Sequence, residues 1–192
     1  DLNPDSAGML NPDIEFHEAR ADQLGFLDDG SVDVVFSSNM LEHLQSKTDV
    51  ERTVAEVRRV LRPGGHFIAL GPNIRFLAGA YWDFWDHSVP ISDRSLTELL
   101  QINDFEVVDT HQQFLPYSTY SPLPKAPILV QMYLRSRWAW PVFGKQFVIR
   151  ARKPAAAAEN ERLISVVIQV YNEGDNIQVC VRRLAETLSP SL

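Results

Sequence analysis

The chain has 192 residues, 45% of them hydrophobic and 22% charged, enough to bury one core and part of another. Its 25 acidic side chains outnumber 18 basic ones, and the formal charge of -7 argues against a nucleic-acid partner, whose phosphates need Lys and Arg. The lone cysteine, Cys180, excludes an intramolecular disulfide and a thiolate metal site, and no apolar run is long enough to span a bilayer, so a cytoplasmic setting is expected.

Residues 14–20 alternate as a strand does and lead into a turn at 22–25. Residues 32–36 are β-branched and largely apolar, as in a buried parallel strand. Over residues 46–61, Val50, Val54, Val57 and Leu61 share one helical face. Pro63-Gly64-Gly65 ends that helix before a second buried strand at 66–70. Strand, helix, turn and strand in this order imply a right-handed crossover and an α/β fold with a parallel sheet. Ser92 caps a helix running to residue 101, with Leu96, Leu99 and Leu100 inward. Strands follow at 105–110 and 145–152, and residues 128–140 between them suit a helix packed on the sheet. Trp138 and Trp140 among Arg135 and Arg137 would also suit a membrane interface. Residues 153–161, with Pro154 and an alanine run, read as a linker. A strand at 164–170 and a helix at 174–188, with Ile177, Val181, Leu184 and Leu188 on one face, then open a second domain.

Four segments in this order resemble class I S-adenosylmethionine-dependent methyltransferases. Asp1-Leu2-Asn3-Pro4-Asp5 resembles their acidic loop after the second strand, and Ala21-Asp22-Gln23-Leu24 their adenine-side loop. Residues 31–44 resemble their fourth strand and the loop after it. The helix closing on Leu61-Arg62-Pro63-Gly64-Gly65 resembles the approach to their fifth strand and is the most specific of the four. The resemblance covers residues 1–152 and implies an incomplete Rossmann-like sheet, mostly parallel with one antiparallel strand, followed by a short β-α tail. It implies S-adenosyl-L-methionine as cofactor. Asp1, with Leu2, would hold the ribose, since a carboxylate at a strand end accepts from both hydroxyls. Asp22 would accept from the adenine amine, with the Gln23 backbone on the ring edge and Leu24 or Phe26 over its face. Ser38 and Asn39 would lie near the methionine part, and His43 and His87 are candidate bases for the methyl acceptor.

Glu42-His43 also invites a metal, as in related O-methyltransferases that add a carboxylate three positions earlier. Here that position is Asn39, a hard cation prefers charged oxygens, and no metal is expected. Phe76, Tyr81, Trp82, Phe84, Trp85 and His87 fall where the family builds its acceptor pocket and would suit a sugar ring or another flat acceptor. Residues 162–192 resemble the opening of family 2 glycosyltransferases, in which the positions of Val170, Tyr171 and Glu173 help hold a sugar nucleotide; Gln169 stands where that family has proline. The acceptor is accordingly expected to be a small molecule or glycan-linked. Two alternatives stay open: a glycosyltransferase whose methyltransferase-like part is a scaffold, and an NAD-dependent oxidoreductase. No Gly-x-Gly-x-Gly turn occurs in the sequence, and the central first strand of the family is expected to be absent with it. Residues 14–21 then lack a neighbour to pair with, and that edge is expected to be loose or rearranged. Calorimetric titration of the 192-residue chain is expected to give no micromolar binding of S-adenosylmethionine.

Overall fold

The computed structural model describes residues 14–117 and 127–155, together with the backbone of residues 166–170. Its strands are β1 (Val32–Ser38), β2 (Leu61–Pro72), β3 (Glu106–Leu115), β4 (Gln146–Arg152) and β5 (Val166–Val170). They form one sheet in the order β3-β4-β2-β1-β5. β1 runs parallel to β2 and to β5, and β4 alone is antiparallel to its neighbours β2 and β3. This is the mostly parallel α/β sheet with one reversed strand that the sequence predicts.

Helix α1 (Lys47–Val60) makes the crossover between β1 and β2. Its first turn is capped by Ser46, whose Oγ accepts from the Asp49 N–H at 3.2 Å. Val50, Val54, Val57 and Val60 are buried against the sheet, as the stripe requires. Lys153 closes the other end: its Nζ donates to the carbonyls of Arg58 at 2.8 Å and Leu61 at 2.6 Å. The residue with which the expected linker begins is thus anchored to the helix it follows by more than ninety positions.

Two expectations are corrected. α1 ends at Val60, ahead of Pro63-Gly64-Gly65, which lie inside β2 as an irregularity. The register with β1 jumps there from Val32–Leu61 to Val34–His66, and the extra chain is accommodated by Gly64 at φ 80°. At Gly65 an added Cβ would lie 2.9 Å from the Arg62 carbonyl oxygen and 3.0 Å from that of Asp33, so a side chain is excluded. Residues 14–20 form no strand. The place beside β1 is taken by β5, with Val170 opposite Ser38. β5 comes from the segment in which the sequence predicts a second domain to begin; the helix expected at 174–188 lies outside the described residues.

After β2, the short helix α2 (Ile74–Leu77) leads to α3 (Asp93–Ile102). Ser92 and Ser95 cap α3 reciprocally: Ser95 N–H donates to Ser92 Oγ at 3.1 Å and Ser92 N–H to Ser95 Oγ at 3.0 Å. Leu96 and Leu100 enter the core, and Leu99 packs at its margin. The helix expected at 128–140 is broken at Ser136 into α4 (Pro127–Arg135), a 3-10 turn at Arg137–Ala139 and α5 (Trp140–Phe143). Tyr133 Oη donates to the Phe114 carbonyl at 2.6 Å, and the Trp140 ring meets Phe114 edge-on at 4.8 Å, which seats this segment on β3. Ile128, Met132 and Trp138 remain exposed. Among the described residues no helix is long and apolar enough to cross a membrane.

Leu100 is 0% and Ile102 71% exposed on the same helix, so their truncation separates burial from helix propensity. Leu100→Ala is expected to cost about 2–5 kcal/mol in urea denaturation. Ile102→Ala should stay within about 0.5 kcal/mol of the parent chain.

Candidate functional site

The carboxyl end of β1 is where an open α/β sheet offers a ligand site. Ser38 is buried there, and Asn39 turns the chain with a left-handed φ of 46°, a conformation that asparagine tolerates. The Asn39 N–H donates to the Leu70 carbonyl at 2.9 Å, so the turn is fastened to β2. Buried Met40 and Leu41 then anchor a 3-10 turn at Leu41–His43. The Glu42 carbonyl accepts from two N–H groups, Ser88 at 2.9 Å and Val89 at 3.1 Å. These bonds bring the 84–92 loop, which follows β2, against the turn that follows β1.

His43 and His87, both singled out from the sequence, are thereby brought together, with ring centroids 5.0 Å apart. His43 Nδ1 lies 3.2 Å from the Asp86 carbonyl and 3.2 Å from Asp86 Oδ2. His87 Nδ1 lies 2.8 Å from the Tyr81 carbonyl. Burial pushes both imidazoles below the ordinary histidine range, against the opposing pull of Asp86. The Glu42 carboxylate joins the pair, its Oε1 3.9 Å from His43 Nε2, and Glu42 itself is only 2% exposed.

The aromatic segment expected to wall an acceptor pocket divides by role. Tyr81 is fully buried and is a structural strut: its Oη donates to the Val89 carbonyl at 2.6 Å and accepts from the Ile91 N–H at 3.2 Å. Trp85 projects into solvent and Trp82 is half exposed. Phe84 stacks on His87 at 5.1 Å, and Tyr117, which sequence pattern does not single out, closes the group with Oη 3.4 Å from His87 Nε2. Buried Asn73 holds the base of this loop. Its Nδ2 donates to Asp93 Oδ1 at 2.8 Å and to the Gln112 carbonyl at 3.0 Å, while Arg75 pairs with Asp93 at 2.9 Å.

On the loop expected to face adenine, Asp22 is held by Arg20 at 2.9 Å and lies 3.7 Å from Arg52 in α1. The Gln23 N–H donates to the Arg20 carbonyl at 3.0 Å, so the amide expected on the ring edge is engaged in the turn. Leu24 is 5% exposed within the core, and the apolar residue left at the surface is Phe26, stacked on His17 at 3.9 Å. The loop is pinned from α1 by a pair that sequence reasoning missed. Glu56 accepts from the Leu24 N–H at 2.8 Å, and Arg59 donates to the Leu24 carbonyl at 3.0 Å and the Leu27 carbonyl at 3.0 Å. Their i, i+3 spacing was the available signal. Asp1 and Leu2 lie outside the described residues.

Residues 3–69 match the methyltransferase domain family. A protein of Mycolicibacterium smegmatis (strain ATCC 700084 / mc(2)155), named a probable S-adenosylmethionine-dependent methyltransferase, is 43% identical over 86 residues, 44% of this chain and 32% of that one. The chain therefore spans about a third of the length of that curated relative, with 32% matched. Among solved structures, a SAM-dependent methyltransferase from Archaeoglobus fulgidus superposes with a TM-score of 0.60 at 17% identity, covering 80% of this chain and 74% of its own. One from Methanosarcina mazei gives 0.58 at 16% identity, covering 81% of each chain. One from Mesorhizobium loti gives 0.55 at 19% identity, covering 79% and 78%. The shared feature at these identities is the Rossmann-like class I methyltransferase fold.

The loop-pinning carboxylates carry a pH dependence. Arg20 holds Asp22, Ser46 and Arg52 hold Asp49, and Arg59 holds Glu56, each below its ordinary carboxylate range. A depressed folded value contributes stability above the unfolded pKa, about 4 for these groups, and loses it as pH falls through the folded value. Urea midpoints are expected to drop steeply from about pH 5 to pH 3, and Glu56→Gln should flatten that slope while lowering stability at neutral pH.

Proposed function

We propose that this chain takes part in methyl transfer from S-adenosylmethionine to an oxygen or nitrogen of a small-molecule or glycan-linked acceptor. The observation that carries the reading is the meeting of Asn39 and the His43–His87 pair at the carboxyl edge of β1, in a sheet of class I methyltransferase topology. The donor chemistry of the residues present fits the cofactor. Arg20 donates to both Asp22 oxygens, Arg52 lies 3.7 Å from Oδ2, and the acceptor capacity that remains on this carboxylate suits the adenine amine. Phe26, exposed beside that loop, serves as the apolar cover, with Gln23 and Leu24 forming the turn beneath it. Ser38 and Asn39 bind the methionine part, and Asp1 with Leu2 the ribose. S-adenosylmethionine supplies a methyl group bound to a sulfonium, so the protein mainly has to provide alignment in a dry site. His43 and His87 stand on the acceptor side, where an imidazole lone pair can take the proton that a hydroxyl or amine acceptor gives up.

Residues 162–192, with their resemblance to the opening of family 2 glycosyltransferases, are the reason for preferring a glycan-linked acceptor. The oxidoreductase reading is weakened by the Leu61-Arg62-Pro63-Gly64-Gly65 approach to β2, which matches methyltransferases. A thermal-shift comparison on the full gene product separates the two. Saturating S-adenosylhomocysteine is expected to raise Tm by on the order of 5 °C, and NAD to leave it unchanged. A shift with NAD alone would reject methyl transfer.

A further inference from the structure

Glu42, His43 and His87 each present a ligand atom, and these atoms lie within 4.8 Å of one another. Two of them are neighbours on the 3-10 turn after β1, and the third arrives on the loop bonded to the Glu42 carbonyl through the Ser88 and Val89 N–H groups. Both imidazoles direct Nδ1 at a backbone carbonyl, Asp86 for His43 and Tyr81 for His87. A carbonyl only accepts, so each Nδ1 carries the proton and each Nε2 carries the lone pair, which at His87 faces the Tyr117 hydroxyl at 3.4 Å and would be shared with or released to an ion. Metal-ligating histidines are oriented in this way, with the far N–H given to a carbonyl or carboxylate, and His43 has the Asp86 carboxylate at 3.2 Å as well.

We propose that Glu42, His43 and His87 bind one divalent transition-metal ion, with Zn2+ the best match. Two imidazoles and one carboxylate form a donor set suited to zinc, whereas magnesium demands oxygen ligands in octahedral array. Sequence pattern set a metal aside because Asn39 stands where a carboxylate is needed; the third group is His87, which only the fold delivers. Three protein ligands leave a fourth position for water or for an acceptor oxygen. That last use rests on the methyl-transfer reading; ion binding itself does not.

The test is calorimetric titration of the full 192-residue chain with Zn2+ alone, without methyl donor, so that its result is independent of cofactor binding. One Zn2+ per chain is expected, undisturbed by a large excess of Mg2+. The double variant His43→Ala, His87→Gln should lose this binding, and His17→Ala and His111→Ala should keep it. Absence of stoichiometric binding, or unchanged affinity in the double variant, overturns the proposal. If circular dichroism shows the double variant unfolded, Asp86→Asn decides, because Asp86 is exposed and its carboxylate lies 3.2 Å from His43 Nδ1. A weakening of about ten-fold supports the site, and unchanged affinity overturns it.

Discussion

The Asn39 N–H and the Leu70 carbonyl, 2.9 Å apart, tie the carboxyl end of β1 to the carboxyl end of β2. The turn carrying Glu42 and His43 is positioned from this joint. β1 and β2 run in parallel from Val34–His66 to Ser38–Leu70, so the loops leaving both strands emerge on the same edge of the sheet. Parallel pairing demands a crossover, and α1 supplies it with a buried valine face. The same helix also positions a loop, because its outer carboxylate and guanidinium, Glu56 and Arg59, fix the backbone of Leu24 and Leu27. Core packing and loop position are therefore consequences of one element.

A second joint builds on the first. The Glu42 carbonyl takes two N–H groups from the 84–92 loop, while Tyr81 spans that loop from within through Val89 and Ile91. Asn73 and Asp93 secure its base in a buried network in which each amide hydrogen bond goes to a carboxylate or a carbonyl. A loop held at three places can keep His87 against His43 despite the more than forty residues between them. Trp85, on the same loop, makes no such use of its ring and stands in solvent. Aromatic composition alone does not distinguish a strut such as Tyr81 from a surface residue.

The edge of β1 shows how a sheet settles its own pairing requirement. A strand with apolar residues on both faces leaves unmet N–H and C=O groups if one side stays open. In the class I resemblance that side belongs to the strand carrying the glycine-rich turn. Here Val166–Val170 lies in parallel along it, in register from Val34–Val166 to Ser38–Val170. Residues 14–20, closer in sequence and also alternating in polarity, do not compete for the place. Their pattern is better explained by local pairs such as His17 with Glu15 at 2.8 Å and Phe26 on His17.

What the sequence alone determined is the set of features whose cause is local. The Val50, Val54, Val57 stripe, the Ser92 cap and the apolar runs of β1 and β2 are written at the period of the element that they form, and each lies where that period places it. Chain order and the Leu61-Arg62-Pro63-Gly64-Gly65 motif were enough for the fold class. Only the tertiary structure decided which distant residues meet: His87 beside Glu42 and His43, Tyr117 beside His87, Lys153 on the end of α1, and β5 rather than residues 14–20 beside β1. It also moved Leu24 into the core and left Phe26 outside. The physical reason is that strand and helix signals repeat along the chain, whereas these contacts join positions far apart in it, and neither a lone side chain such as Lys153 or Tyr117 nor a backbone bond open to almost any residue carries a local period that names its partner.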